Sequence, residues 1–239
     1  FRATRARYDA TLWNADTRRL ATYRLHFPLY RGVREVWIGL DAGAQVEPPP
    51  RYAGASPVVV YGTSITQGGC ASRPGMAFTN LLARRLNRPV LNLGFSGSGK
   101  LEPEVAHHMA AASMQPALLM IDADANCGAD LLRERLGPFL AILRRFHPAV
   151  PILVVSRPPF AKAQADAAAR RDARTRRRIQ EQAVRRLRRG GDAHLHFLDG
   201  FTLIPEGAFE ATVDGVHPTD LGFWQMADAL EPVWRRLMA

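Results

Sequence analysis

No stretch of about 18 consecutive apolar residues occurs in this sequence, so no segment of it reads as a membrane-spanning helix. Cysteine is nearly missing too. Cys70 and Cys127 are too few for a disulfide-stapled scaffold and their spacing matches no zinc pattern, so the core must hold the fold, and two unpaired, half-buried thiols are expected. The signs of disorder are equally scarce. With 47% hydrophobic residues, 23% charged residues and a mean hydropathy of −0.16, the composition is globular and excludes a fibrous repeat. The chain begins at Phe1 rather than at methionine, which reads as a processed or shortened product whose compartment is illegible from its N-terminus.

What is present is basic. The net charge of +10 raises nucleic acid or an anionic surface as a partner. Position argues against that reading. Eleven basic and three acidic residues lie between Ala161 and Gly190, so this one stretch carries nearly the whole excess. Within it Ile179, Ala183, Val184 and Leu187 recur at spacings of three and four, the pattern of a helix that lays an aliphatic face on a core and sends arginines into water. No aromatic residue interleaves to stack bases, so no nucleic-acid partner is expected.

A length of 239 residues allows one domain, or one and a small module. Residues 1 to 47 alternate apolar and polar positions in short runs, such as Tyr23 to Phe27 and Glu35 to Leu40, which predicts a short β-rich segment. Pro48, Pro49 and Pro50 then force an extended connector, placing a boundary between residues 1–50 and 51–239. Beyond it the rhythm changes. Apolar runs at Val58–Tyr61, Val90–Leu93, Ala117–Ile121, Ile152–Val155 and His194–Leu198 alternate with helical stretches at Met76–Leu86, Pro103–Ala112, Leu131–Phe146, Gln164–Arg189 and Thr219–Leu237. Continuously apolar strands separated by helices predict an α/β fold with a parallel sheet covered on both faces. Ligands of such sheets sit at the carboxyl ends of the strands.

The loops at those ends hold Gly62-Thr63-Ser64-Ile65, the run Gly94 to Lys100, the run Asp122 to Gly128, and Asp214-Gly215-Val216-His217-Pro218. A serine hydroxyl needs a positioned base to act as a nucleophile, and the base needs a partner that fixes its tautomer. Ser64 can be that nucleophile, and the Asp214–His217 spacing lets a carboxylate reach Nδ1 while Nε2 faces outward. The amides of Ser64 and Gly97 and the side chain of Asn126 can donate to a developing oxyanion.

Ser64, Gly97, Asn126 and His217 stand in the order, and at roughly the spacings, of the four signature residues of the SGNH (GDSL-type) hydrolases, which the chain resembles from about Val58 to its end. The resemblance implies a flavodoxin-like three-layer α/β/α domain with a five-stranded sheet. It implies Ser64 as nucleophile, His217 as general base and acid, Asp214 as orienter, and an oxyanion hole of Ser64, Gly97 and Asn126. Thr63, Ala125 and Cys127 depart from the residues usual in the family. With the stretch Thr66 to Met76, they are similar to a branch in which a β-sandwich module precedes the hydrolase and many members resemble carbohydrate O-deacetylases. The implied activity is hydrolysis of an O-acyl ester, an acetyl group on a carbohydrate, through an acyl-enzyme on Ser64, with no metal or organic cofactor and in a secreted or periplasmic setting; a lipid or small-metabolite esterase or thioesterase of the same fold is the alternative, and an inactive carbohydrate-binding module a further one. Arg73, Arg157 and Trp224 are the candidate substrate-binding residues, with surface ion pairs and core packing as the competing roles.

A second reading remains open. Gly94 to Lys100 also fits the Gly-x-x-x-x-Gly-Lys of a phosphate-binding loop, but the next residue is Leu101, which has no oxygen for Mg²⁺.

Overall fold

The computed structural model describes residues 8–11, 19–111, 115–161, 163, 166–205 and 207–239. The chain clusters into two compact units: Phe1–Leu25 with Glu35–Arg51, and His26–Arg34 with Tyr52–Ala239.

The larger unit carries a five-stranded sheet. Strands β1 (Val58–Gly62), β2 (Val90–Gly94), β3 (Leu118–Asp122), β4 (Ile152–Val155) and β5 (Leu195–Leu198) lie in the order β2-β1-β3-β4-β5, and every pairing is parallel. All five runs read from the sequence form strands, and the helices separate them: α1 (Ser64–Gln67), α2 (Phe78–Arg85), α3 (Pro103–Met109), α4 (Ala129–Phe146), α5 (Ala167–Arg189) and α6 (Asp220–Leu237). Two cores follow from the alternation of side chains across the strands. Val58, Val60, Leu118, Met120, Leu153 and Val155 pack with α2 and α6 on one face, where Phe78, Phe223 and Trp234 are fully buried. Val59, Tyr61, Leu119, Ile121 and Val154 pack with α3, α4 and α5 on the other. Each of β1 and β3 is buried along its whole length, which explains why their sequences are apolar without alternation.

Side-chain caps fix three helix starts. Thr63 accepts the Ile65 amide at 3.3 Å, Asp166 accepts those of Ala168 and Ala169 at 2.8 and 3.2 Å, and Thr219 accepts that of Gly222 at 3.3 Å. Helix α1 stops after one turn because Gly68 takes the left-handed conformation at φ +94°, a terminator that glycine adopts without steric cost.

The β-rich N-terminal segment does not form among the described residues: none of 8–11 or 19–50 lies in a strand. Alternation supplies only the face of a strand; it still needs a ladder partner and a core to cover it. Here Trp37, Ile38 and Val46 remain exposed. The proline run ends just before the larger unit resumes at Tyr52, yet His26–Arg34 belongs with that larger unit. Gln164, with which the expected fourth helix begins, lies outside the described residues.

Candidate active site

The register of the sheet sets the site. Gly62 pairs with Gly94 on one side and with Asp122 on the other, so β2, β1 and β3 end level with one another. The loops that follow them bring Ser64, Gly97 and Asn126 to one edge. Ser64 opens α1, and neither its amide nor that of Gly97 has an acceptor among the described residues. Gly97 is held at φ +72°, in the left-handed region.

The fourth contributor arrives from the far end of the chain. Thr212 and Pro218 pair as an antiparallel bridge, and Gly215 at φ +84° lets the chain between them reverse. The carboxylate of Asp214 folds back to accept the amides of Val216 and His217 at 2.9 and 2.8 Å. Its other oxygen lies 2.7 Å from His217 Nδ1, and His217 Nε2 lies 2.9 Å from Ser64 Oγ. Burial pushes the Asp214 carboxyl up, but the bonds from the His217 amide and ring and from the Val216 amide outweigh it and hold the group down to about 2. The carboxylate is therefore ionised wherever an imidazole titrates.

Asn126 ends the turn Asp124–Asn126, and its side-chain amide donates to the Ser98 carbonyl and, at 3.3 Å, to the Phe95 carbonyl. It is thus brought against the loop that carries Gly97. Behind this turn lies a buried polar cluster that the sequence does not announce. Arg176 of α5 donates to the carbonyls of Asp124 and Cys127 at 2.9 and 2.7 Å and pairs with Asp172 at 2.6 Å, while Gln180 donates to Asp124 Oδ2 at 2.8 Å. The aliphatic face of α5 packs as its spacing predicts, with Val184 buried and Ile179, Ala183 and Leu187 against the core. Arg176 departs from the pattern. Turned inward, it reaches the carbonyls of Asp124 and Cys127 and the Asp124 carboxylate together.

Two further groups brace the serine turn. Thr66 donates to the Asp122 carboxyl at 2.8 Å; burial pushes that carboxyl up to about 7, with the charge of Asp124 acting in the same direction. Gln67 accepts the Ser96 amide at 2.8 Å and donates to the Leu29 carbonyl at 2.9 Å, tying the Gly97 loop to the His26–Arg34 segment. Gln67 stands in a motif read from the sequence, but nothing there marks its partners.

The candidate substrate-binding residues fare differently. Arg73 lies exposed ahead of the turn Pro74–Met76. Arg157, expected at the mouth, is 5% exposed: its amide donates to Asp124 Oδ2 at 3.1 Å and its guanidinium lies 4.4 Å from the centre of the Phe160 ring, so it serves the buried cluster. Trp224 is 48% exposed, and the guanidinium of Arg85 covers its ring at 4.3 Å, so it is neither core nor an open platform. Both cysteines are free: Cys70 is exposed, whereas Cys127 is buried, and burial first, then the charge of Asp124, pushes its thiol up to about 11.

The phosphate-loop reading fails on chemistry already in place. Glu102 accepts the Lys100 amide at 2.9 Å, and the Tyr61 hydroxyl accepts the Leu101 amide at 2.8 Å, so a carboxylate and a phenol hold the N–H groups that a phosphate would need. Leu101 itself is buried.

A doubly wound parallel sheet with a serine, an imidazole and a carboxylate in line at its carboxyl edge defines a class of nucleophile-bearing α/β domains. Within it, the chain belongs to the GDSL-like lipase/acylhydrolase family, whose model matches residues 55–235. A search of curated protein sequences gave no match. Among solved structures, the chain is similar to a protein described as a GDSL-like lipase from Bacteroides ovatus, at 33% identity and a TM-score of 0.72, over 77% of this chain and 53% of that one. It is similar to a salicylyl-acyltransferase from a tetracycline biosynthetic pathway at 24% identity and a TM-score of 0.69, over 83% and 58% of the two chains. A family two carbohydrate esterase from Clostridium thermocellum in complex with cellohexaose shares the fold at 15% identity and a TM-score of 0.62, over 80% and 66%. The chain thus spans about half to two thirds of the length of these proteins. Among the described residues no helix is long and apolar enough to cross a membrane.

Proposed function

We propose that the protein is a carboxylic ester hydrolase that removes an O-acyl group, an acetyl group on a carbohydrate, through an acyl-enzyme on Ser64. The observation that carries this reading is the unbroken line from Asp214 through His217 to Ser64, with contacts of 2.7 and 2.9 Å. His217 Nε2 takes the Ser64 proton as Oγ attacks the carbonyl carbon. The carbonyl oxygen gains the electron pair and is held by the amides of Ser64 and Gly97, while Asn126 transfers an N–H to it from the Phe95 carbonyl. Collapse expels the alcohol, which takes the proton from His217. Water then attacks the acyl-enzyme, losing its proton to His217, which passes it to Ser64 Oγ as the ester bond breaks and the carboxylic acid leaves. Asp214 stabilises the imidazolium in both halves.

The carbohydrate acetate is supported by analogy of fold, since a carbohydrate esterase shares the architecture at low identity. Turnover of p-nitrophenyl acetate by the purified protein tests the reaction, and a comparison of acetylated sugars with longer acyl esters tests the substrate. Ser64→Ala should fold normally and lose turnover; an unchanged rate in that variant overturns the serine mechanism.

A further inference from the structure

The reading above leaves unexplained why residue 69 is glycine. Gly69 is absent from the left-handed residues, so no backbone requirement selects it. Space does. A Cβ built on Gly69 would stand 2.7 Å from the Tyr30 hydroxyl, 3.1 Å from the Ser64 carbonyl oxygen and 3.6 Å from Ser64 Cβ. The bare Cα thus lets the Tyr30 hydroxyl pack directly against the turn that carries Ser64, close to the nucleophile's own Cβ. Tyr30 is half exposed, and its hydroxyl has no hydrogen-bond partner among the described residues.

The segment that presents Tyr30 is fastened in place. Gln67 takes the Leu29 carbonyl at 2.9 Å, and Arg84, which donates to the Gly75 carbonyl at 2.8 Å, lies 3.2 Å from His26 Nε2. Leu29 is seated against Gly68, where a Cβ would fall 2.7 Å from its Cδ1.

This contact also has a side. The turn after Gly69 is tied to the start of α6: Ser72 gives its amide to Asp220 at 2.9 Å, and Asp220 follows His217 by three residues. Cys70 feels the charge of Asp214, which adds to burial in pushing its thiol up. Gly69 therefore flanks the imidazole–carboxylate side of Ser64, where a leaving alcohol must collect its proton.

We propose that Tyr30, packed on Gly69 beside Ser64, borders the subsite for the alcohol half of the ester and is a specificity-determining residue selecting a hydroxyl-bearing alcohol such as a sugar. The proposal rests on the Ser64 reading. A phenol suits this ligand because its hydroxyl both donates and accepts while its ring offers an apolar face to a sugar's C–H surface.

The test compares the unaltered protein with Tyr30→Phe on three esters: p-nitrophenyl acetate, whose leaving group bears no hydroxyl, a peracetylated monosaccharide and a partly acetylated one. We expect Tyr30→Phe to lower kcat/KM on the partly acetylated sugar about five- to tenfold, chiefly through KM, the loss of one neutral hydrogen bond. Turnover of p-nitrophenyl acetate and of the peracetylated sugar should stay within about twofold. Equal losses on all esters, or no loss on the partly acetylated sugar, overturn the subsite while leaving Ser64 as nucleophile. Hydrolysis of p-nitrophenyl acetate but of no acetylated sugar by the unaltered protein overturns the sugar class, and hydrolysis of no ester overturns the Ser64 reading itself.

Discussion

Arg176 and Asp124 form a buried ion pair at 3.4 Å directly behind the turn that carries Asn126. Asp124 is fully buried and Arg176 is 7% exposed, so Asp124 relies on Arg176 for compensation, while Arg176 keeps Asp172 at 2.6 Å as a second partner. Removing one partner of such a pair leaves an uncompensated charge, at a cost of about 3–5 kcal/mol. Arg176→Met should therefore lower Tm by roughly 10 °C in a thermal melt, given about 2–4 °C per kcal/mol for a chain of this size. Adding Asp124→Leu should recover much of that loss, and a double variant no better than Arg176→Met would refute the pairing.

The Asn126 amide is shared between two carbonyls of the Gly97 loop and, as proposed, the oxyanion. Asn126→Ala should lower kcat on p-nitrophenyl acetate by ~10²–10³ with little change in KM, the signature of a donor used in the transition state.

Gln67 spans from the Leu29 carbonyl to the Ser96 amide. Gln67→Leu breaks both bonds and should reduce kcat for every ester alike, by about tenfold, while costing about 1–2 kcal/mol of stability. Gln67→Glu keeps the acceptor for Ser96 and should fall between. A Gln67→Leu enzyme with unaltered kcat would show that the Gly97 loop holds its place alone.

Asp122 is a carboxyl whose folded-state value is raised to about 7. Between the ordinary carboxylate range and that value the folded state binds the extra proton, so stability should fall as pH rises from about 4 to about 7. Asp122→Asn removes this dependence and keeps an acceptor for Thr66. Chemical denaturation should find the variant's advantage larger at pH 8 than at pH 5; an advantage independent of pH would contradict a buried titrating group.

Asp214 stays ionised down to about pH 2. The acid limb of kcat/KM should therefore report an imidazole rather than this carboxylate, and Asp214→Asn should lower kcat by up to ~10⁴ through loss of the correct ring tautomer. The measurement is a pH–rate profile of both proteins.

The sheet was legible because buried parallel strands must be apolar on both faces: Val58–Tyr61 and Ile152–Val155 read as strands without help from any partner. Ser64, Gly97, Asn126 and His217 were legible because each occupies the first few residues beyond a strand end or a short distance before a helix, places where small and polar residues stand out against apolar runs. Arg176 was not, since ten neighbouring cations hide the one that turns inward. Arg157 misled for the related reason that a loop position says nothing of depth. Leu29 and Tyr30 lie far from Gln67 and Gly69 in sequence, and no local pattern encodes a bond between a glutamine side chain and a distant carbonyl.

The bond from Gln67 to Leu29 bears on how such chains can be recombined. A crossover placed at the three prolines, the natural seam on inspection of the sequence, would exchange the segment tied to the Ser64 turn along with the residues that precede it. Hybrids joined there should inherit their nucleophile from one parent and part of their selectivity from the other, whereas hybrids joined upstream of His26 would keep both together.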